Sequence, residues 1–318
     1  MLAFLGTPAP DVGSSMTPTD MIRIDAHHHV WRLLPPDGRA RTGPSPRAHA
    51  WLNAADLAPI RRDFTLDDLA SVAAVAEVDR TVLVQVVPEV EETADFLSLS
   101  ADEGGDLVAG VVGWVDLTDP GVADVLAALR AGPGGDLLVG VRHLVQGEPD
   151  PRWLARPDVR RGLRAVAEAG LAYDLLTLVH QLPAAIETVR ALPGATFVLD
   201  HLSKPPIAAG VREPWASHLR ELAAEPNVTC KLSGMVTEAG PTGWTVADLR
   251  PYADAALDAF GPSRVMFGSD WPVCLLAGSY EEVVAAAEGL TAGLTRAERD
   301  EVFGGTAARV YRLPGGRP

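Results

Sequence analysis

Eight short runs rich in valine, isoleucine and leucine recur along the chain, and patterned helical segments separate them. The runs are "IRIDAHH" (22–28), "RTVLVQVV" (80–87), "LVAGVVGWV" (107–115), "LLVGVRHL" (137–144), "LAYDLLTL" (171–178), "ATFVLDHL" (195–202), "NVTCKLSG" (227–234) and "RVMFGSD" (264–270). Most are apolar throughout rather than alternating, as strands covered on both faces are. Between them, 65–77, 122–131, 159–169 and 182–192 carry apolar side chains three and four apart, the mark of one buried helical face. Thr65, followed by Asp67 and Asp68, predicts an N-cap and an acidic first turn. Strands alternating with helices predict βα units and a parallel sheet. Eight such units predict an α/β fold of one domain, a (β/α)8 TIM barrel, for which about 250 residues plus insertions is usual. A doubly wound sheet fits less well, because no G-x-G-x-x-G turn follows an early strand. The barrel is expected over 21–318. A long loop at 31–64 should lie over the end of the first strand, and 1–20 should form a disordered leader, with Met21 as an alternative start.

The net charge of −15 excludes nucleic acid and anionic membrane as natural partners. No apolar run reaches the ~18 residues of a membrane span. Two cysteines, Cys230 and Cys274, make no disulfide framework and point to a reducing, cytoplasmic setting. A small molecule remains as partner, and barrels of this size often pair as homodimers.

In a barrel the strands' C-terminal ends carry the active site. His27 and His29 end the first run and, two apart on a strand, share one face, whereas His28 faces away and reads as structural. Arg142 and His143 end the fourth, His201 the sixth and Asp270 the eighth, with His180 just past the fifth. Imidazoles plus a carboxylate are the donor set of one divalent ion, Zn²⁺ by its chemistry, with His27, His29, His180 and Asp270 as candidate ligands. Such an ion lowers the pKa of its water. Asp270 and His201 are the candidate catalytic pair, Asp270 moving the proton. Arg142, His143 and Lys204 are candidates for holding substrate, as are the aromatic faces of Trp31 and Trp271.

The motifs "IDAHHHVW", "GVRHLVQGEPD", "FVLDHLSKPPI", "CKLSGMVTEA" and "FGSDWPVCLL" together resemble the amidohydrolase superfamily. More narrowly, they are similar to its branch of sugar-acid and muconolactone-type lactonases, from about Met21 to Leu313. The resemblance implies a TIM barrel that opens an aldonolactone or a related carboxylated lactone with metal-activated water. It implies site roles for His27, His29, His201 and Asp270, and adds Arg142 as a substrate contact. The bridging lysine of binuclear members is absent at the end of the fourth strand, where "GVRHL" stands, which argues against two metals. Two alternatives share the scaffold: a metal-independent lactonase of the pyrone-dicarboxylate type, and a nonoxidative metal-dependent decarboxylase.

Overall fold

The computed structural model describes residues 22–34 and 44–313; the expected leader and part of the 31–64 loop lie outside them. All eight expected strands form: β1 (Ile24–His28), β2 (Arg80–Val84), β3 (Val108–Gly113), β4 (Leu138–His143), β5 (Ala172–Leu175), β6 (Thr196–Leu199), β7 (Val228–Leu232) and β8 (Val265–Phe267). They lie in sequence order, every pair parallel. The ring closes by a parallel bridge between His28 and Trp271, backed by hydrogen bonds from Asp270 N–H to the His27 carbonyl (2.8 Å) and from His29 N–H to the Trp271 carbonyl (2.7 Å). This is a single-domain TIM barrel.

The outer helices are α1 (Leu66–Val75), α2 (Val90–Asp102), α3 (Val122–Ala131), α4 (Pro157–Glu168), α5 (Leu182–Ala191), α6 (Trp215–Ala223), the short α7 (Met235–Ala239), α8 (Val246–Phe260) and α9 (Tyr280–Leu290). Thr65 caps α1 as its sequence predicts, accepting from Asp68 N–H while Asp68 returns the bond. No helix among the described residues is long and apolar enough to cross a membrane.

Inside the barrel the layers differ. Ile24, Ala26, Val82, Val84, Ala172 and Val198 fill the lower end, which Tyr311 and Leu313 plug from the C-terminal segment. The layer above is polar and buried: His27, Gln85, Arg142, Asp174, Asp200 and Lys231. A register irregularity between Asp25 and His28 lets β1 place Ala26 in the lower layer and still aim His27 and His29 at the rim, as a bulge re-aims side chains.

His28 is fully buried, and both its ring nitrogens lack a hydrogen-bond partner among the described residues. Burial, with the nearby His29 second, pushes its pKa down to about 3. The unfolded chain binds that proton near pH 6.5 and the native chain does not, so His28 contributes stability that is complete above pH 6.5 and is lost as pH falls toward 3. Replacing His28 with Leu should therefore flatten the acid arm of stability. Urea midpoints at pH 7.5 and pH 5 test this; an equal acid loss in both proteins refutes it.

Candidate active site

The rim side chains are held by strained backbone that other parts of the chain clamp. Past β8, Ser269 donates its N–H and hydroxyl to the two oxygens of buried Asp25 (2.8 and 2.6 Å), to which Tyr280 also donates. Asp270 follows at φ +59°, a left-handed conformation costing an ordinary residue roughly 1–2 kcal/mol. At Gly268 an added Cβ would come within 2.8 Å of His27 Cβ, so only glycine lets β8 approach β1 this closely.

Past β6, His201, Leu202, Ser203 and Lys204 are all left-handed, φ 51–59°. Trp215 Nε1 donates to the Leu202 carbonyl (2.6 Å), and the Ser203 and Thr177 hydroxyls bond at 2.8 Å. These clamps fix a turn that delivers both His201 and Lys204 to one cavity. Gly234 makes room for it: a Cβ there would meet His201 Nδ1 at 2.7 Å.

That cavity, of about 470 Å³, is bounded by His29, His201 and Asp270 and walled by Trp31, Trp51 and Leu276. Asp270 Oδ1 lies 3.6 Å from His29 Nε2, 3.7 Å from His27 Nε2 and 3.8 Å from His201 Nε2. Burial pushes the Asp270 carboxyl up, but the histidines around it outweigh that and hold it well below the usual carboxylate range. Burial pushes all three histidines down, His201 to about 4. At neutral pH the centre is one carboxylate among neutral imidazoles.

The residues fit a divalent ion. His29 Nδ1 meets the Val84 carbonyl at 2.8 Å, so that nitrogen carries the proton and Nε2 offers its lone pair to the cavity, the usual arrangement of a ligating histidine. His27 Nε2 is 3.2 Å away, and these two nitrogens with the Asp270 carboxylate form a cluster able to hold a metal. Arg142 complicates the fit: its Nη1 sits 3.2 Å from His27 Nε2, and a guanidinium can only donate. An ion on that nitrogen requires Arg142 to withdraw from it.

Beneath His27 lies a buried ionic network. Lys231 Nζ is 2.6 Å from Asp174 Oδ2 and 3.0 Å from Asp200 Oδ1, the second an ion pair without hydrogen-bond alignment. It also lies 3.2 Å from His27 Nδ1. Tyr311 donates to Asp174 from below. Arg142 pairs with Asp200 Oδ2 at 3.1 Å. Burial alone would push Asp200 up; Lys231, His27 and Arg142 hold it well below its ordinary value.

His27, His29, His201, Asp270, Arg142, Lys204 and Trp31 thus gather at or just beneath the cavity, while three expected site residues do not line it. His180 is exposed on the 3-10 turn Val179–Gln181 and belongs to no potential metal cluster among the described residues. The chain turns outward after β5, which removes His180 from the expected ligands. His143 spends both ring nitrogens on Glu148 and Trp114 and stacks on Trp153 at 4.2 Å, outside the cavity lining, which leaves it no nitrogen for a substrate. Trp271 is buried edge-on against Phe64, behind the cavity. The sequence reading missed Lys231, Asp174, Gln85 and Glu238. A lysine inside the apolar run "NVTCKLSG" is the one signal that could have flagged them, since lysine is almost never fully buried unless paired.

A family model described as Amidohydrolase matches residues 24–313, and the chain belongs to that family. Within it, the chain is similar to the L-fucono-1,5-lactonases of Burkholderia multivorans and Burkholderia ambifaria. The first is 40% identical over 304 residues, spanning 92% of this chain and 97% of the relative. The second is 37% identical over 295 residues, spanning 92% and 96%. A crystal structure of a Burkholderia multivorans amidohydrolase with bound zinc superposes with a TM-score of 0.82 at 40% identity, covering 92% of this chain and all of the other. A 2,6-dihydroxybenzoate decarboxylase shares the fold alone, at 14% identity and TM-score 0.60, over 93% of this chain and 99% of that one.

Proposed function

We propose that the protein hydrolyses a sugar lactone to the open hydroxy acid, with Asp270 taking the proton from the attacking water. The observation that carries this is an ionised Asp270 oxygen 3.6–3.8 Å from three imidazole nitrogens at the floor of the cavity. Water bound there adds to the lactone carbonyl carbon as its proton passes to Asp270. Collapse of the tetrahedral adduct breaks the bond to the ring oxygen, which takes the proton back from Asp270. His201, anchored through Nδ1 to Ser233 Oγ at 2.8 Å, turns Nε2 to the cavity to bond the carbonyl oxygen. Arg142 places a fixed positive charge beneath the developing oxyanion, where an oriented charge in a water-poor site counts most. His27, His29 and Asp270 would hold a single divalent ion, Zn²⁺ by the donor set; when bound it acts as a Lewis acid. The similarity to L-fucono-1,5-lactonases along almost the whole chain supports lactone opening over decarboxylation.

Proton release followed with a pH indicator over a panel of aldonolactones tests this, since each opening frees one proton near neutral pH. Turnover of at least one sugar lactone is expected; silence across the panel with carbon dioxide release from an aromatic acid would overturn it. A second reading, without metal, is favoured by Arg142, whose guanidinium already stands against His27 Nε2. Turnover before and after chelation separates the two: a loss restored by Zn²⁺ supports the first, undiminished turnover the second. On the first reading Zn²⁺ is expected to bind at one ion per chain, and Asp270→Asn to weaken that binding by about 10–100-fold, comparable to or larger than the effect of removing a ligand's supporting partner. Calorimetry reads both numbers.

A further inference from the structure

The cavity is richer in carboxylates than in free positive charge. Arg142 faces it, yet all its N–H groups are directed elsewhere. Nε and Nη2 donate to Gln85 Oε1 (3.0 and 2.9 Å), Nη2 also to the Gln85 carbonyl (2.6 Å), and Nη1 to Asp200 Oδ2 (3.1 Å) while facing His27. A guanidinium has five N–H donors, and none is left for a substrate. The other cation of the lining is Lys204, whose Nζ lies 3.7 Å from Glu238 Oε1. Asp56, Glu238 and Asp270 supply three carboxylates against these two cations. Among the described residues of the lining, each cation therefore already faces an anion.

Such a lining treats two kinds of lactone differently. Hydroxyl groups can donate to Glu238 and accept from Lys204 while the pair stays together. A substrate carboxylate would have to pull Lys204 from Glu238 and then lie beside Glu238 and Asp56, and like charges brought together in an interface are strongly disfavoured. The backbone at Lys204 is fixed by the clamped left-handed turn, its N–H bonded to the His201 carbonyl at 2.7 Å, which sets its side chain beside Glu238.

We infer that Glu238, acting with Lys204, is a specificity-determining residue that admits uncharged polyhydroxylated lactones and turns away lactones bearing a carboxylate. This rests on the lactonase reading above and narrows it. The test compares kcat/KM at pH 7.5 for an aldono-1,4-lactone and the aldaro-1,4-lactone of the same ring stereochemistry, which differ only in CH2OH against carboxylate. The native protein should prefer the neutral lactone by 100-fold or more. Glu238→Gln should narrow that ratio at least tenfold, chiefly by lowering KM for the acidic substrate, because it removes the repelling charge and frees Lys204. Equal use of both lactones by the native protein, or an unchanged ratio in Glu238→Gln, overturns the inference. Calorimetric binding of the matching tetrahydrofuran polyol and its carboxylate analogue gives the ratio without chemistry. Catalytic silence with that binding preference intact would sink the lactonase reading alone; binding without preference would sink this one.

Discussion

Asp270→Asn should lower kcat on a sugar lactone by at least about 10³-fold while leaving the thermal midpoint within a few degrees of the parent. The amide keeps the size of the carboxyl and can still accept one hydrogen bond, but it cannot take a proton from water. Positioned general acid–base groups contribute roughly 10²–10⁴-fold, and here the loss includes the negative charge facing His29 and His201. Because that carboxyl is held well below its ordinary range, it is ionised at every working pH, so Asp270 itself imposes no acid limb on the parent's turnover there. The same depression makes it a weak base, so it acts by holding water in line as much as by basicity. The backbone at Asp270 is fixed by the Ser269–Asp25 bonds and by its own N–H to His27, none of which uses the substituted side chain. Indicator-based rates and a thermal melt check both halves. Turnover above a tenth of the parent's would remove Asp270 from the proposed chemistry.

The barrel was legible because parallel strands buried on both faces read as uninterrupted apolar runs, and the polar residues interrupting them fall at their C-terminal ends. His27, His29, His201 and Asp270 are of that kind. His180 was misleading because its direction depends on how the chain leaves β5, which residue types do not encode: the 3-10 turn there exposes it. Arg142 stands where expected, but nothing in "GVRHL" tells that Gln85, 57 residues earlier, takes three of its hydrogen bonds. The left-handed turn at 201–204 has no glycine or asparagine to announce it; Trp215 and Thr177 impose it from other elements. Glu238 was hidden for a similar reason, sitting on a five-residue helix that only the fold brings to Lys204.

The network under His27 was the least legible feature, and removing its centre should have the largest effect on stability. Lys231→Met leaves Asp174 and Asp200 buried without their shared cation. Breaking a buried pair by deleting one partner costs about 3–5 kcal/mol, which for a domain of this size lowers the melting temperature by on the order of 10 °C. Adding Asp174→Asn should return part of that loss: one stranded charge disappears, Asp200 keeps Arg142 at 3.1 Å, and Tyr311 keeps a hydrogen-bond partner at the amide. Turnover should behave differently. Lys231 Nζ lies 3.2 Å from His27 Nδ1, and His27 Nε2 lies 3.2 Å from His29 Nε2, whose own Nδ1 is fixed by Val84. Arg142 Nη1, which can only donate, faces His27 Nε2, so the ring carries its proton on Nδ1, toward Asp200 Oδ1 at 3.4 Å, a carboxylate that Lys231 pairs with at 3.0 Å. Without Lys231 that carboxylate can shift and the ring loses its orienting partner. The double variant should therefore regain melting temperature without regaining kcat, the signature of a positioning residue acting through His27. Melting and kinetics on the two variants decide it: recovery of both together would make Lys231 structural alone, and recovery of neither would mean that Asp174 is not the charge it neutralises.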